Sequence, residues 1–207
     1  MKHVKKQQEP LEFTNWKAQE NEDWQPTYDK LAGTVKDAVK TALMVEQGYI
    51  CCYCEQRLIE HDSHIEHFRP QNDPNVDALD YNNMLCSCQD RLRKGDPRHC
   101  GVAKDNWFDE AMLVSPFDPS CESKFSFTGN GEIKPRPGNN RDAIETIHRL
   151  KLDINKLNDL RAKAIEPFLE NTLSPAEFQN FVRGYLLRDE TGKLGEFWTT
   201  IQYLFGA

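Results

Sequence analysis

Six of the seven cysteines in this 207-residue chain stand between positions 51 and 100, in the runs Cys51-Cys52-Tyr53-Cys54, Cys86-Ser87-Cys88 and His99-Cys100. No other feature constrains the fold as strongly. In a reducing compartment, thiols gathered this closely point to metal binding rather than to disulfides. Cys51 and Cys54 have the two-residue gap that lets both thiolates of one tight turn reach a tetrahedral ion, and such a knuckle needs a second pair from elsewhere. Cys88 and Cys100 are expected to supply it, with Zn²⁺ as the structural ion and with Cys86 and His99 as substitutes. The stretch between Cys88 and Cys100 is long for a knuckle and reads as a protruding polar loop. Buried inert thiols are the plain alternative, which such crowding disfavours. Cys121 stands apart and reads as an ordinary thiol.

The chain is long enough for one compact core and a smaller appended unit. Its basic start, Met1-Lys2-His3-Val4-Lys5-Lys6, is followed by no apolar run, and no stretch of about eighteen apolar residues occurs. A cytoplasmic protein with no membrane contact is expected. The formal charge of −7 argues against tight unaided binding of a polyanion, because phosphate contacts need Lys and Arg to displace counterions. Basic residues are nonetheless concentrated locally, with Arg91, Arg93, Lys94, Arg98 and Lys104 near the cysteines and Arg69 among them. Solvated loop charge is the ordinary reading of any one of these.

Tyr28, Leu31, Val35, Ala38, Val39, Ala42 and Leu43 recur at helical spacing and predict a helix from Tyr28 to Val45, stopped by Gln47-Gly48. Phe125-Ser126-Phe127-Thr128, Gly129-Asn130-Gly131 and Glu132-Ile133 predict a β-hairpin. Beyond it the spacing turns helical again. Ser174-Pro175-Ala176-Glu177 reads as a capped helix start, and a last helix is expected through Leu194, Phe197, Trp198, Ile201 and Leu204. The aromatic residues of this region read as core, with a docking face there, or near Trp16 and Trp24, as the lesser alternative. Three segments follow: an N-terminal arm and helix (1–47), a core with knuckles and hairpin (48–137), and a helical region (138–207).

His64-Ile65-Glu66-His67-Phe68-Arg69-Pro70 is the second informative run. Glu66 can offer an oxygen to a hard divalent ion while His67 keeps a neutral imidazole, the pairing that phosphodiester hydrolysis asks for. His64 shares a strand face with Glu66 and reads as a structural histidine, with metal ligation as the alternative. With Tyr81-Asn82-Asn83-Met84-Leu85, Cys88 and His99-Cys100-Gly101, these residues resemble the HNH endonucleases. More narrowly they look like the PtuB family, the HNH proteins of Septu-type and retron-linked anti-phage systems. The strong part of the resemblance covers residues 48–106.

The resemblance implies an α+β fold, with a zinc-stabilised ββα-metal (HNH) centre within a mostly helical chain. It implies His67 as general base, Glu66 as ligand of a catalytic Mg²⁺ or similar ion, and Asn83 as the residue that constrains the loop and orients His67. Many HNH proteins carry a His or Asn ligand directly after the last knuckle cysteine. Gly101 stands there in this chain, so Asn106, or failing it Asp105, is expected to serve. Arg69 and Lys104 are candidates for phosphate contacts. The implied activity is cleavage of DNA or RNA, possibly transfer RNA, in a complex with a PtuA-like ATPase and with a retron reverse transcriptase and its nucleic acid. A non-catalytic zinc-knuckle binding module would need the same cysteines without His67, and a toxin-like nuclease acting alone would suit a more basic chain.

Overall fold

A computed structural model describes residues 1–138, 140–169 and 173–206 of the protein. The apolar rhythm beginning at Tyr28 does not become one helix. After a short helix α1 (Leu11–Lys17), Tyr28–Lys30 forms a single 3-10 turn, and the longer helix α2 is Gly33–Glu46. The backbone makes the break: Ala32 is extended, with φ −145°, and Gly33 has φ +56°, which side-chain-bearing residues rarely adopt. The stop is where the sequence puts it. Gly48 follows α2 with φ +63°, the left-handed conformation that ends helices.

α2 buries Val39, Leu43 and Met44 and packs on the hairpin of β1 (Ser63–His67) and β2 (Met84–Cys88). The strands are antiparallel, with Ser63 opposite Cys88, Ile65 opposite Cys86 and His67 opposite Met84. All five residues of β2 are buried, since the pair meets α2 and also a short helix, α3 (Cys100–Lys104).

Two buried glutamines set the cysteine turns against this hairpin. Gln47 donates to the carbonyls of Ile50 (2.9 Å) and Cys86 (2.8 Å) and accepts from the Cys86 amide (2.7 Å), which ties the Cys51 turn to β2. Gln89 donates to Pro97 O and accepts from His99 N, both at 2.8 Å. Those bonds pinch shut the polar loop between Cys88 and Cys100, so its length does not separate the two thiols.

The second hairpin pairs β3 (Phe125–Phe127) with β4 (Ile133–Pro135), and the remaining helices are α4 (Arg141–Leu150), α5 (Asn155–Ile165), α6 (Pro175–Leu186) and α7 (Trp198–Phe205). Ser174 and Glu177 form the expected capping box. The last helix begins at Trp198 rather than near Leu194. Before it, the backbone of 194–197 is engaged elsewhere: Leu194 N donates to Gly48 O, Phe197 N donates to Glu55 O, and Phe197 takes φ +52°. Arg57 donates to Leu194 O, and Arg188 reaches Val45 O and Glu46 O. Glu55, buried in the knuckle turn, accepts from the amide and hydroxyl of Thr199 and pairs with the Met1 ammonium at 2.6 Å.

One core runs from Val4 and Phe13 through the cysteines and the hairpin to Leu152 and Leu157. A smaller one gathers Ile165, Phe168, Val182 and Ile201, with Phe178, Tyr185 and Phe205 packed around it. Three of the C-terminal aromatics gather on Phe168, whose ring lies 4.9 to 5.2 Å from those of Phe181, Tyr185 and Phe205, although Phe181 keeps an exposed face.

Candidate metal centre and active-site cleft

The Cys51 turn, the end of β2 and the start of α3 converge. The sulfurs of Cys51, Cys54, Cys88 and Cys100 all lie within 4.8 Å of one another and all four residues are buried. Cys86 and His99 lie outside this set; His99 Nδ1 sits 3.1 Å from Cys100 Sγ. Burial pushes the Cys52 and Cys100 thiols well above their ordinary pKa. Burial acts on Cys51 in the same sense, but the thiols of Cys100, Cys52, Cys54 and Cys88 around it bring it well below. Four thiolates this close would repel strongly in a dry site, whereas a divalent cation at their centre removes the conflict. The donor set therefore fits a structural zinc.

Directly beyond β1 lies a polar cleft of about 180 Å³ lined by Glu66, His67, Pro70, Gly101, Asp105 and Asn106, among others. The structure thus brings together four of the residues singled out in the sequence. Glu66 is buried, and its Oε1 accepts from Tyr53 OH and pairs with Lys104 Nζ, each at 3.0 Å. Burial alone would raise the Glu66 pKa, but the neighbouring His64 ring and the Lys104 ammonium outweigh it and hold the carboxyl below its usual range. Gly101 and Lys104, three apart on α3, share a helix face. Gly101 meets Glu66 with its backbone and Lys104 with its ammonium.

His67 Nε2 lies 2.9 Å from Ala78 O. A carbonyl can only accept, so Nε2 carries the proton and Nδ1 the lone pair of the neutral ring. Burial lowers the His67 pKa, outweighing the Ala78 hydrogen bond and the Glu66 charge, which raise it. The Tyr28 ring stands edge-on to the imidazole, with centroids 4.6 Å apart. Asn83 clamps the next turn of chain: its Oδ1 accepts from Arg69 N (2.8 Å) and its Nδ2 donates to Arg69 O (2.9 Å). Asn83→Ala is expected to cost about 1–3 kcal/mol by leaving both Arg69 backbone groups unpaired. It should also abolish hydrogen-exchange protection of the Arg69 amide; protection equal to wild type would show that the clamp is unimportant.

The two residues expected to meet phosphate part company. Arg69 is half exposed, paired with exposed Glu110 at 3.0 Å. Lys104 is only 2 % exposed, and besides Glu66 it donates to His67 O at 2.9 Å, so it is an internal counter-ion and not a surface contact. Four residues that serve the site escaped the sequence reading. Tyr28 reads as helix core, Gln47 as part of a helix stop, Gln89 as the start of a polar loop, and Tyr53 as a member of the cysteine run with no role of its own. The one available signal was the position of Tyr53 between two cysteines, where a buried phenol needs a partner.

The arrangement defines a class: a four-cysteine knuckle beside an antiparallel hairpin and short helix that present a carboxylate, an imidazole and amide groups to one cleft. No family model matches the chain. Over 139 residues, 64 % of its length, the chain is 34 % identical to a protein of Vibrio cholerae serotype O1 biovar El Tor, whose name gives it provisionally as the HNH endonuclease of retron Vc95. The match spans 65 % of that relative, just under two thirds. It supports the resemblance to HNH endonucleases. Among the described residues, no helix is long and apolar enough to cross a membrane.

Proposed function

We propose that the chain is a metal-dependent HNH endonuclease that hydrolyses phosphodiester bonds in DNA or RNA as the effector of an anti-phage defence complex. The observation that carries this reading is the meeting of Glu66, neutral His67, Asp105 and Asn106 in one cleft. A bound Mg²⁺ or similar ion supplies positive charge to the phosphate and to the leaving oxygen. Glu66 would hold that ion through the oxygen that Tyr53 and Lys104 leave over, and Asn106 or Asp105 would serve as a further ligand. His67 takes the proton of the attacking water at Nδ1. Its hydrogen bond to Ala78 fixes the tautomer and the ring plane, Asn83 fixes the chain that follows, and Lys104 balances the charge of Glu66. Arg69 is the cation left to meet substrate.

The retron named for the Vibrio relative supports a role in defence, and the charge of −7 supports reliance on a partner to hold the polyanion. The partner proposed is a PtuA-like ATPase, with a retron reverse transcriptase and its nucleic acid in the same assembly, acting in the cytoplasm. The test is incubation of the chain, alone and with its partner, with supercoiled DNA and with transfer RNA. Cleavage that EDTA stops and added Mg²⁺ or Mn²⁺ restores is expected. Absence of ion-dependent cleavage of either substrate by either preparation refutes the reading.

A further inference from the structure

The Glu66 carboxylate is divided in its use. Tyr53 and Lys104 occupy Oε1, and Oε2 faces His64 Nε2 at 3.6 Å. That separation is long for a charge-assisted hydrogen bond, which draws nitrogen and oxygen to about 2.7–2.9 Å. It is close to the roughly 3.0–3.5 Å between two neighbouring donors that each stand about 2.1 Å from a shared ion. The register produces the pair: His64 and Glu66 alternate onto one face of β1.

Gly101, at the start of α3, borders the same spot. A Cβ built on it would strike Glu66 Oε2 and come within 2.8 Å of His64 Nε2. The glycine provides space above the two donors and no donor of its own. The His64 side chain is 23 % exposed, so an ion can arrive from solvent. Asp105 does not complete this pair, because among the described residues only the four cysteines bring three or more His, Cys, Asp or Glu ligand atoms within 4.8 Å of one another.

We propose that His64 is a direct ligand of the divalent ion, its Nε2 and Glu66 Oε2 forming two adjacent donors over Gly101. The proposal rests on the nuclease reading for what the ion does, and it goes further in fixing the kind of ion. A mixed nitrogen and oxygen site favours Mn²⁺ over Mg²⁺, which prefers an all-oxygen shell and keeps its waters. His67, one residue beyond Glu66 and turned to Ala78, is not a ligand.

The test is Mn²⁺ titration of the zinc-loaded full-length chain, followed by electron spin-echo measurement of nitrogen coupling to the bound Mn²⁺. Wild type and His67→Ala should show a histidine nitrogen coupling. His64→Ala should lose it and bind Mn²⁺ at least about tenfold more weakly, the scale on which even outer partners of metal ligands count. His64→Gln keeps the size and polarity of the side chain and should lose the coupling as well, so misfolding of the alanine variant cannot mimic the result. Zinc content serves as the fold control. Coupling absent from wild type, or surviving in both His64 variants, overturns the proposal. Ion-dependent cleavage without nitrogen coupling defeats the His64 assignment alone, whereas coupling without cleavage by chain or complex defeats the nuclease reading alone.

Discussion

Cys54→Ser protein is expected to emerge from purification without zinc and largely unfolded. Cys51, Cys54, Cys88 and Cys100 join three separate stretches of chain inside the main core, and the turn that carries the first two is fully buried. Structural zinc contributes about 10–16 kcal/mol in small zinc-folded units, as much as the whole stability of a typical domain, about 5–15 kcal/mol. Loss of one thiolate leaves the ion three-coordinate and the other three thiols crowded without a cation. Cys86→Ala makes the contrast: Cys86 lies outside the set and should keep stoichiometric zinc while losing only what its packing contributes. Elemental analysis and denaturant unfolding decide the matter. Folded wild-type protein without zinc, or a Cys54→Ser unfolding midpoint equal to wild type, would remove the basis for the metal knuckle.

His67→Ala should leave zinc content intact and lower cleavage by about 10²- to 10⁴-fold, the range that general-base catalysis contributes. The variant loses one hydrogen bond to Ala78 and the Tyr28 ring contact, a cost of about 1 kcal/mol that leaves the fold in place. The measurement is the initial rate of DNA and RNA cleavage by the native complex at saturating divalent ion. A variant rate within a few-fold of wild type would mean that another group takes the proton.

Much of this site is written in local spacing, and that part is legible in the sequence. The Cys51–Cys54 gap encodes its own turn, the glycine at 48 its own helix end, and the adjacency of Glu66 and His67 places them at one strand end whatever surrounds them. What depends on other parts of the chain was not legible. The charge of Lys104 is visible in the sequence but its direction is not, because only the packing of α3 on β2 turns the ammonium inward to Glu66. The two helix starts set too early, at Tyr28 and near Leu194, share a cause. Apolar spacing continues through both segments, yet Gly33 and Phe197 adopt positive φ, and the backbone of 194–197 binds the knuckle turn instead of itself.

The strand of chain from Arg188 to Thr199 is in effect a handle on the metal turn. It holds residues 45–57 through Arg188, Leu194, Glu196, Phe197 and Thr199, and the buried carboxylate of Glu55 takes two donors from Thr199 beside the Met1 ammonium. A knuckle built this way is not a cassette that could be lifted onto another scaffold, since cutting away the last helices would take both Thr199 donors from the buried Glu55 and leave it the Met1 ammonium alone. The same wiring runs in the other direction: any assembly that grips α6 and α7 holds, at one remove, the turn from which Cys51 and Cys54 reach inward.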